Sequence, residues 1–237
     1  MFEGHRVALV IPALDEEDAI GPLVAAVDRT LVDRVVVVDN GSTDGTAGRA
    51  AAAGAEVVRE PRRGYGSACL AGIRAAAAAE ILLFMDGDGS DDPAEIGGML
   101  RFMEEHRAEL VIGSRVLGRA EPGALTPLQK FGNTLTCTLV RWFWGVRYTD
   151  LGPFRAVRRE ALERLAMADP DFGWTIEMQV KAAKLGLRVA EMPVACRVRR
   201  GGRSKISGTL LGSWRAGRKI LATVLRAKFT RREDQSA

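Results

Sequence analysis

The chain has 237 residues, room for one large α/β domain or two small ones, and its 47% hydrophobic and 27% charged content excludes a disordered or fibrous protein. Its net charge of +4 is uneven: residues 186–237 carry 13 Lys or Arg against three acids, +10, while residues 1–185 carry 21 bases and 27 acids, −6. A basic quarter on an acidic body predicts a polyanionic partner, nucleic acid or a membrane surface, and no apolar run approaches the ~18–20 residues needed to cross a bilayer.

The elements follow in order. RVALVI (6–11) is a buried-type strand ended by Pro12, and residues 18–31 have Ile20, Leu23, Val24, Val27 and Leu31 on one helical face. RVVVVD (34–39) is a second strand, followed by NGSTDGT and an alanine-rich helix to Ala53. AEVVRE (55–60) is a third, and PRRGYGSA leads into a helix over about residues 67–79. EILLFMD (80–86) is a fourth; Asp92-Pro93 then opens a helix to His106, with Asp at the cap and Pro in the first turn. ELVIGS (109–114) is a fifth strand.

Past this point the pattern is less regular: a helix over 128–144 ending in three aromatics, a turn and short strand at 149–160, a helix over 175–185 and a kinked strand at 188–199. Residues 207–229 read as an amphipathic basic helix, with Leu210, Leu211, Trp214, Leu221, Val224 and Leu225 opposite Arg215, Arg218, Lys219 and Arg226. Residues 230–237 read as a disordered tail.

Strands apolar throughout, alternating with helices, predict a mostly parallel sheet covered on both faces, with ligands beyond the strands' carboxyl ends. Every polar cluster of the first half falls there: PALDEE, DNGSTDGT, PRRGYG, DGDGSDD and GSR. There is no GxGxxG after the first strand and no GxxxxGK[ST], which argues against a dinucleotide fold and a P-loop. Asp86 and Asp88 are one residue apart, so their side chains leave an extended segment on the same side. Such a pair suits Mg²⁺ or Mn²⁺, which take their remaining oxygens from phosphates and water. Asp39, at the end of the second strand, is placed to accept a base N–H. Cys69, Cys137 and Cys196 are far apart and accompanied only by His5 and His106, so a zinc cluster is excluded and reduced thiols are expected.

In this order and spacing, IPALDEE, VVDNGSTDGT, GYGSA, DGDGSDDP, GSR and RGGRSK resemble family 2 glycosyltransferases of the GT-A fold. The greatest likeness is to the polyprenyl-phosphate and dolichyl-phosphate mannosyl- and glucosyltransferases, over about residues 6–206. The resemblance implies a UDP- or GDP-linked hexose donor, Mg²⁺ or Mn²⁺, and inversion at the anomeric carbon. It implies that Pro12, Ala13, Leu14 and Glu16 line the nucleoside and that Asp39 holds the base. Asp86 and Gly87 would flank ribose and diphosphate. Asp86 and Asp88 would ligate the metal, helped by Ser90, where relatives often carry an amide. Arg115, Arg199 and Lys205 would neutralise donor or acceptor phosphates.

A polyprenyl phosphate acceptor is already ionised, with a second pKa of about 6, and needs cations more than a base. A hydroxyl acceptor on a glycan or small molecule needs a base, for which Asp150 and Glu177 are the candidates. The expected organisation is a catalytic domain over 1–206, the basic helix over 207–229, lying on a membrane or packing on the domain, and the tail. Relatives often have transmembrane helices after the catalytic domain; this sequence shows none, so the expected location is cytoplasmic and peripheral to the membrane. The rival readings are a soluble transferase and a non-catalytic nucleotide-sugar binder. Few aromatics interleave the basic tail, which argues against nucleic acid. Nothing in the sequence reports the oligomeric state.

Overall fold

The computed structural model describes residues 1–199, 223, 224, 227 and 228. Four βα units come first: β1 (Val7–Ala13) and α1 (Glu17–Ala25), β2 (Arg34–Asp39) and α2 (Thr46–Ala52), β3 (Glu56–Arg59) and α3 (Tyr65–Ala75), then β4 (Ile81–Phe84) and α4 (Ile96–Glu105). A 3-10 turn at Pro93–Glu95 precedes α4, and the Asp92 side chain accepts the Ala94 N–H, the cap expected from Asp-Pro. The chain continues through β5 (Leu110–Ala120), α5 (Pro127–Trp144), β6 (Arg155–Arg158), α6 (Arg159–Leu165), α7 (Trp174–Leu185) and β7 (Val189–Cys196).

One seven-stranded sheet results, in the order β3-β2-β1-β4-β6-β5-β7. Only the two ladders made by β6 are antiparallel. The unbroken apolar runs divide by alternation between the two faces. Ala8, Val10, Val36, Val38, Leu82 and Phe84 pack with residues of α3, α5, α6 and α7. Val7, Leu9, Ile11, Val35, Val37, Ile81 and Leu83 pack with α1, α2 and α4. Each large side chain fully buried in this way contributes about 1.5–3 kcal/mol relative to exposure. The mostly parallel α/β architecture agrees with the sequence reading.

Several boundaries differ from it. β1 does not stop at Pro12 but runs to Ala13, which pairs with Asp39. Ala13 bonds toward β2, so the missing N–H of Pro12 falls on the β4 side, past the last β4 pair at Val10–Phe84. α1 ends at Ala25 rather than at Leu31, because the Asp28 carboxylate accepts both the backbone N–H and the hydroxyl of Thr30 at 2.8 and 2.7 Å, a local turn that competes with helix. β5 runs on past Ser114 to Ala120 with a register shift against β7. There Gly118 lies so close to β7 that a Cβ would stand 2.0 Å from the Val194 carbonyl oxygen.

Among the described residues no helix is long and apolar enough to cross a membrane. Of the expected 207–229 helix, Val224 is fully buried, Lys184 Nζ donates to the Ala227 carbonyl at 3.1 Å, and Lys228 Nζ lies 5.3 Å from the Phe143 ring centre. These residues pack on α5 and α7; the rest of that helix, the tail and Lys205 lie outside the described residues.

Candidate active site

A cavity of about 770 Å³ opens beyond the carboxyl ends of the parallel strands. Pro12, Ala13, Leu14 and Glu16 reach it from β1, Asn40 from β2, Asp86, Gly87, Asp88 and Ser90 from β4, Arg115 from β5, and Arg197 and Arg199 from beyond β7. This is where open α/β sheets bind ligands. The antiparallel β6 adds to it in the opposite sense. Its first residue, Arg155, pairs with Phe84 at the end of β4, so the turn before β6 lies at the active edge and sets Asp150 beside Arg115.

The acidic loop after β4 has an internal frame. Tyr65 donates its hydroxyl to Asp86 Oδ1 at 3.0 Å, and the Asp86 N–H donates to Asp91 Oδ2 at 3.2 Å. Burial, and next the neighbouring Asp88, raise the Asp86 carboxyl above the usual carboxylate range. Burial and Asp86 do the same to Asp91, which is only 2% exposed and braces the loop from behind. Asp88 Oδ1 accepts the Ser90 N–H at 2.9 Å, while its Oδ2 lies 3.5 Å from Arg199, which also pairs with Glu16. Ser90 additionally accepts the Arg197 N–H at its carbonyl, tying the end of β7 to this loop.

Opposite stands Arg115, whose Nε and Nη2 each bond an oxygen of Asp150 at 2.8 Å. Burial opposes the charge on Arg115, but the Asp150 hydrogen bonds and charge outweigh it and hold the guanidinium above its ordinary pKa. The glycines of GYGSA have a steric role. A Cβ at Gly64 would stand 2.2 Å from the Pro170 carbonyl oxygen, and one at Gly66 would stand 1.9 Å from that of Asp169. Close approach of this loop to α3 brings Asp171 and Phe172 into the cavity wall.

The structure therefore gathers Pro12, Ala13, Leu14, Glu16, Asp86, Gly87, Asp88, Ser90, Arg115 and Arg199 into one cavity. Three expected residues lie outside its wall. Asp39 is 7% exposed and accepts the Ser42 N–H at 2.9 Å, whereas its neighbour Asn40 lines the cavity and braces residues 60–64. Asp150 is 1% exposed and committed to Arg115. Glu177 accepts the N–H groups of Ala168 and Asp169 and pairs with Lys181 at 2.8 Å. Neither expected base lies in the cavity wall, and the oxygens of both are held by internal donors. Sequence reasoning missed Arg63, Tyr65, Arg197, Asp171, Phe172 and the cavity wall formed by residues 123–126 and Gln129. Tyr65 was findable, since it sits between two glycines at the end of a strand-to-helix turn.

Among the described residues no three His, Cys, Asp or Glu side chains form a closed metal cage. Asp86 and Asp88 are both hard oxygen donors of the kind that suits Mg²⁺ or Mn²⁺, and both line the cavity.

A cleft beyond the carboxyl ends of the parallel strands, with two aspartates after a core strand, fits a glycosyltransferase of the GT-A fold. The chain belongs to glycosyl transferase family 2, whose model matches residues 8–166. It is 39% identical over 211 residues to an uncharacterized glycosyltransferase of Mycobacterium tuberculosis, covering 89% of this chain and 94% of that protein. It is 30% identical over 221 residues to the undecaprenyl-phosphate mannosyltransferase of Micrococcus luteus, covering 87% and 90%. Among solved structures, glucosyl-3-phosphoglycerate synthase from Mycobacterium tuberculosis, in complex with Mn²⁺, UDP-glucose and phosphoglyceric acid, superposes with a TM-score of 0.79 at 25% identity, over 97% of this chain and 82% of that one.

Proposed function

We propose that the chain transfers a hexose, with inversion, from a UDP- or GDP-linked donor to a polyprenyl phosphate. The observation that carries this reading is the presence of four arginines in the cavity wall, set among the acids Glu16, Asp86, Asp88 and Asp171. Arg63, Arg115, Arg197 and Arg199 line the cavity, while the two carboxylates best suited by sequence to act as base are locked into the scaffold. A phosphate acceptor brings its own ionised oxygen and asks only for cations. That oxygen bonds to the anomeric carbon as the bond to the nucleoside diphosphate breaks, and the charge on the departing diphosphate is met by the arginines. Pro12, Ala13, Leu14, Glu16 and Asn40 hold the nucleoside end; Asp39 serves by shaping the loop beside it. Asp86 and Asp88, with Ser90 adjoining, would hold Mg²⁺ or Mn²⁺, which supplies Lewis-acid neutralisation of the diphosphate. The mannosyltransferase relative, named for undecaprenyl phosphate, supports this acceptor.

A second reading, transfer to a hydroxyl of a small phosphorylated acid, is favoured by Asp171, an acidic residue in the cavity wall, and by the solved relative bound to phosphoglyceric acid. Incubating the chain with Mn²⁺ and a panel of UDP- and GDP-hexoses, with either polyprenyl phosphate or phosphoglyceric acid, separates the two by nucleotide release and product. Release dependent on polyprenyl phosphate is expected; release with phosphoglyceric acid alone establishes the second reading. Asp171→Asn leaves transfer to a phosphate intact but slows transfer to a hydroxyl about 10²–10⁴-fold. Asp88→Ala is expected to abolish transfer and Mn²⁺-dependent donor binding, and retained turnover would overturn the metal assignment.

A further inference from the structure

Helix α5 leaves an apolar face to solvent. Leu128, Phe131, Leu135 and Trp142 are 50, 65, 36 and 81% exposed, and their spacing of three, four and seven places them on one stripe. The opposite face, with Thr136, Cys137 and Val140, is buried on the domain. Lys130 and Arg141 are exposed along one flank of the stripe, and Arg147 follows the helix. No acidic residue occurs between Thr126 and Arg147. At its N-terminal end the helix reaches the catalytic cleft, where Thr126 and Gln129 form part of the wall.

We infer that this face of α5 docks on a lipid bilayer rich in anionic head-groups, setting the cavity mouth at the membrane surface. The chemistry is that of an interfacial helix: large apolar side chains enter the head-group boundary while adjacent cations meet the anionic charge. A second copy of the chain on the same face would oppose Lys130 and Arg141 to their own like, whereas a bilayer meets them with opposite sign. The described residues 223, 224, 227 and 228 pack against α7 and the Phe143 side of α5, not on this stripe. The inference deepens the lipid-phosphate reading and rests on it for its purpose, but the surface has its own test.

The full chain is floated with vesicles of phosphatidylcholine alone or mixed with phosphatidylglycerol, without donor or acceptor. Binding to the anionic vesicles, weakened by salt, is expected. Phe131→Ser with Trp142→Ser is expected to abolish it while leaving the thermal transition and Mn²⁺-dependent donor binding unchanged, since both side chains are exposed and outside the cavity wall. Lys130→Gln with Arg141→Gln is expected to weaken it about 25-fold, about fivefold for each charge. Vesicle binding unaffected by the apolar pair overturns the inference. So does a wild-type dimer that the apolar pair dissociates in the absence of any lipid binding, which assigns the face to a second copy. Failure of the acceptor reading is seen separately, as vesicle-bound protein that transfers nothing to polyprenyl phosphate.

Discussion

Asp150 shows how a titratable residue near a catalytic cleft is read differently once its partners are known. One carboxylate takes two bonds from the Arg115 guanidinium and a third from the Arg115 backbone N–H, and it is 1% exposed. Asp150→Asn keeps the shape and removes the charge, leaving Arg115 largely buried without its counter-ion. Loss of one partner of a buried pair costs about 3–5 kcal/mol, and the lower end applies because the Arg115 side chain keeps 19% exposure. A fall in Tm of about 6–12 °C is expected by calorimetry. Weaker donor or acceptor binding should accompany it in titrations, because Arg115 loses its anchor; an unchanged melt would remove Asp150 from this role. The GSR and TDLGPFR segments were each legible, but their pairing across 35 residues was not, since spacing reports only local neighbours. Asp86 and Asp88 were legible for the converse reason, their relation being fixed within one extended segment. Asp39 falls between these cases. Its strand end was clear, yet whether its side chain turned to the cavity or to the Ser42 N–H depended on the fold of the following loop.

At the level of elements, α5 has the most complete start among the described helices. Thr126 accepts the Gln129 N–H at 3.2 Å, and Gln129 returns a bond from the Thr126 N–H at 2.8 Å, with Pro127 at the first helical position. Thr126→Ala opens this box and is expected to cost about 1 kcal/mol, read as a drop of about 2–4 °C in Tm. An unchanged melt would show that the tertiary contacts of α5 hold its first turn unaided. Helices and core strands were readable because burial imposes their periods on the sequence. The outer half of β5 was not, as residues 115–120 are largely exposed and carry no apolar run. Nor was the direction of β6, since alternation is the same whichever way a strand runs.

For the whole molecule, the order β3-β2-β1-β4-β6-β5-β7 divides the sheet into an early part and a late part joined through four residues. The family model ends at residue 166, just past β6 and α6, whereas β7 and the arginines after it lie beyond. The half proposed to hold the nucleoside was therefore the most legible, and the half that completes the cleft the least. The position of β6 also bears on how the protein is made. A ribosome delivers the end of β4 at Phe84 but the strand that pairs with its open edge only at Arg155. At about 5–20 residues per second, that edge stays bare for several seconds, a template for wrong pairing. Stalled nascent chains are expected to gain protease resistance in β1–β4 only after β6 and α7 clear the exit tunnel, because Trp174 of α7 covers Phe84 with ring centres 4.8 Å apart. Resistance in chains stalled near residue 120 would contradict this. The strand whose preceding turn sets Asp150 beside Arg115 is thus also the one for which the growing chain must wait.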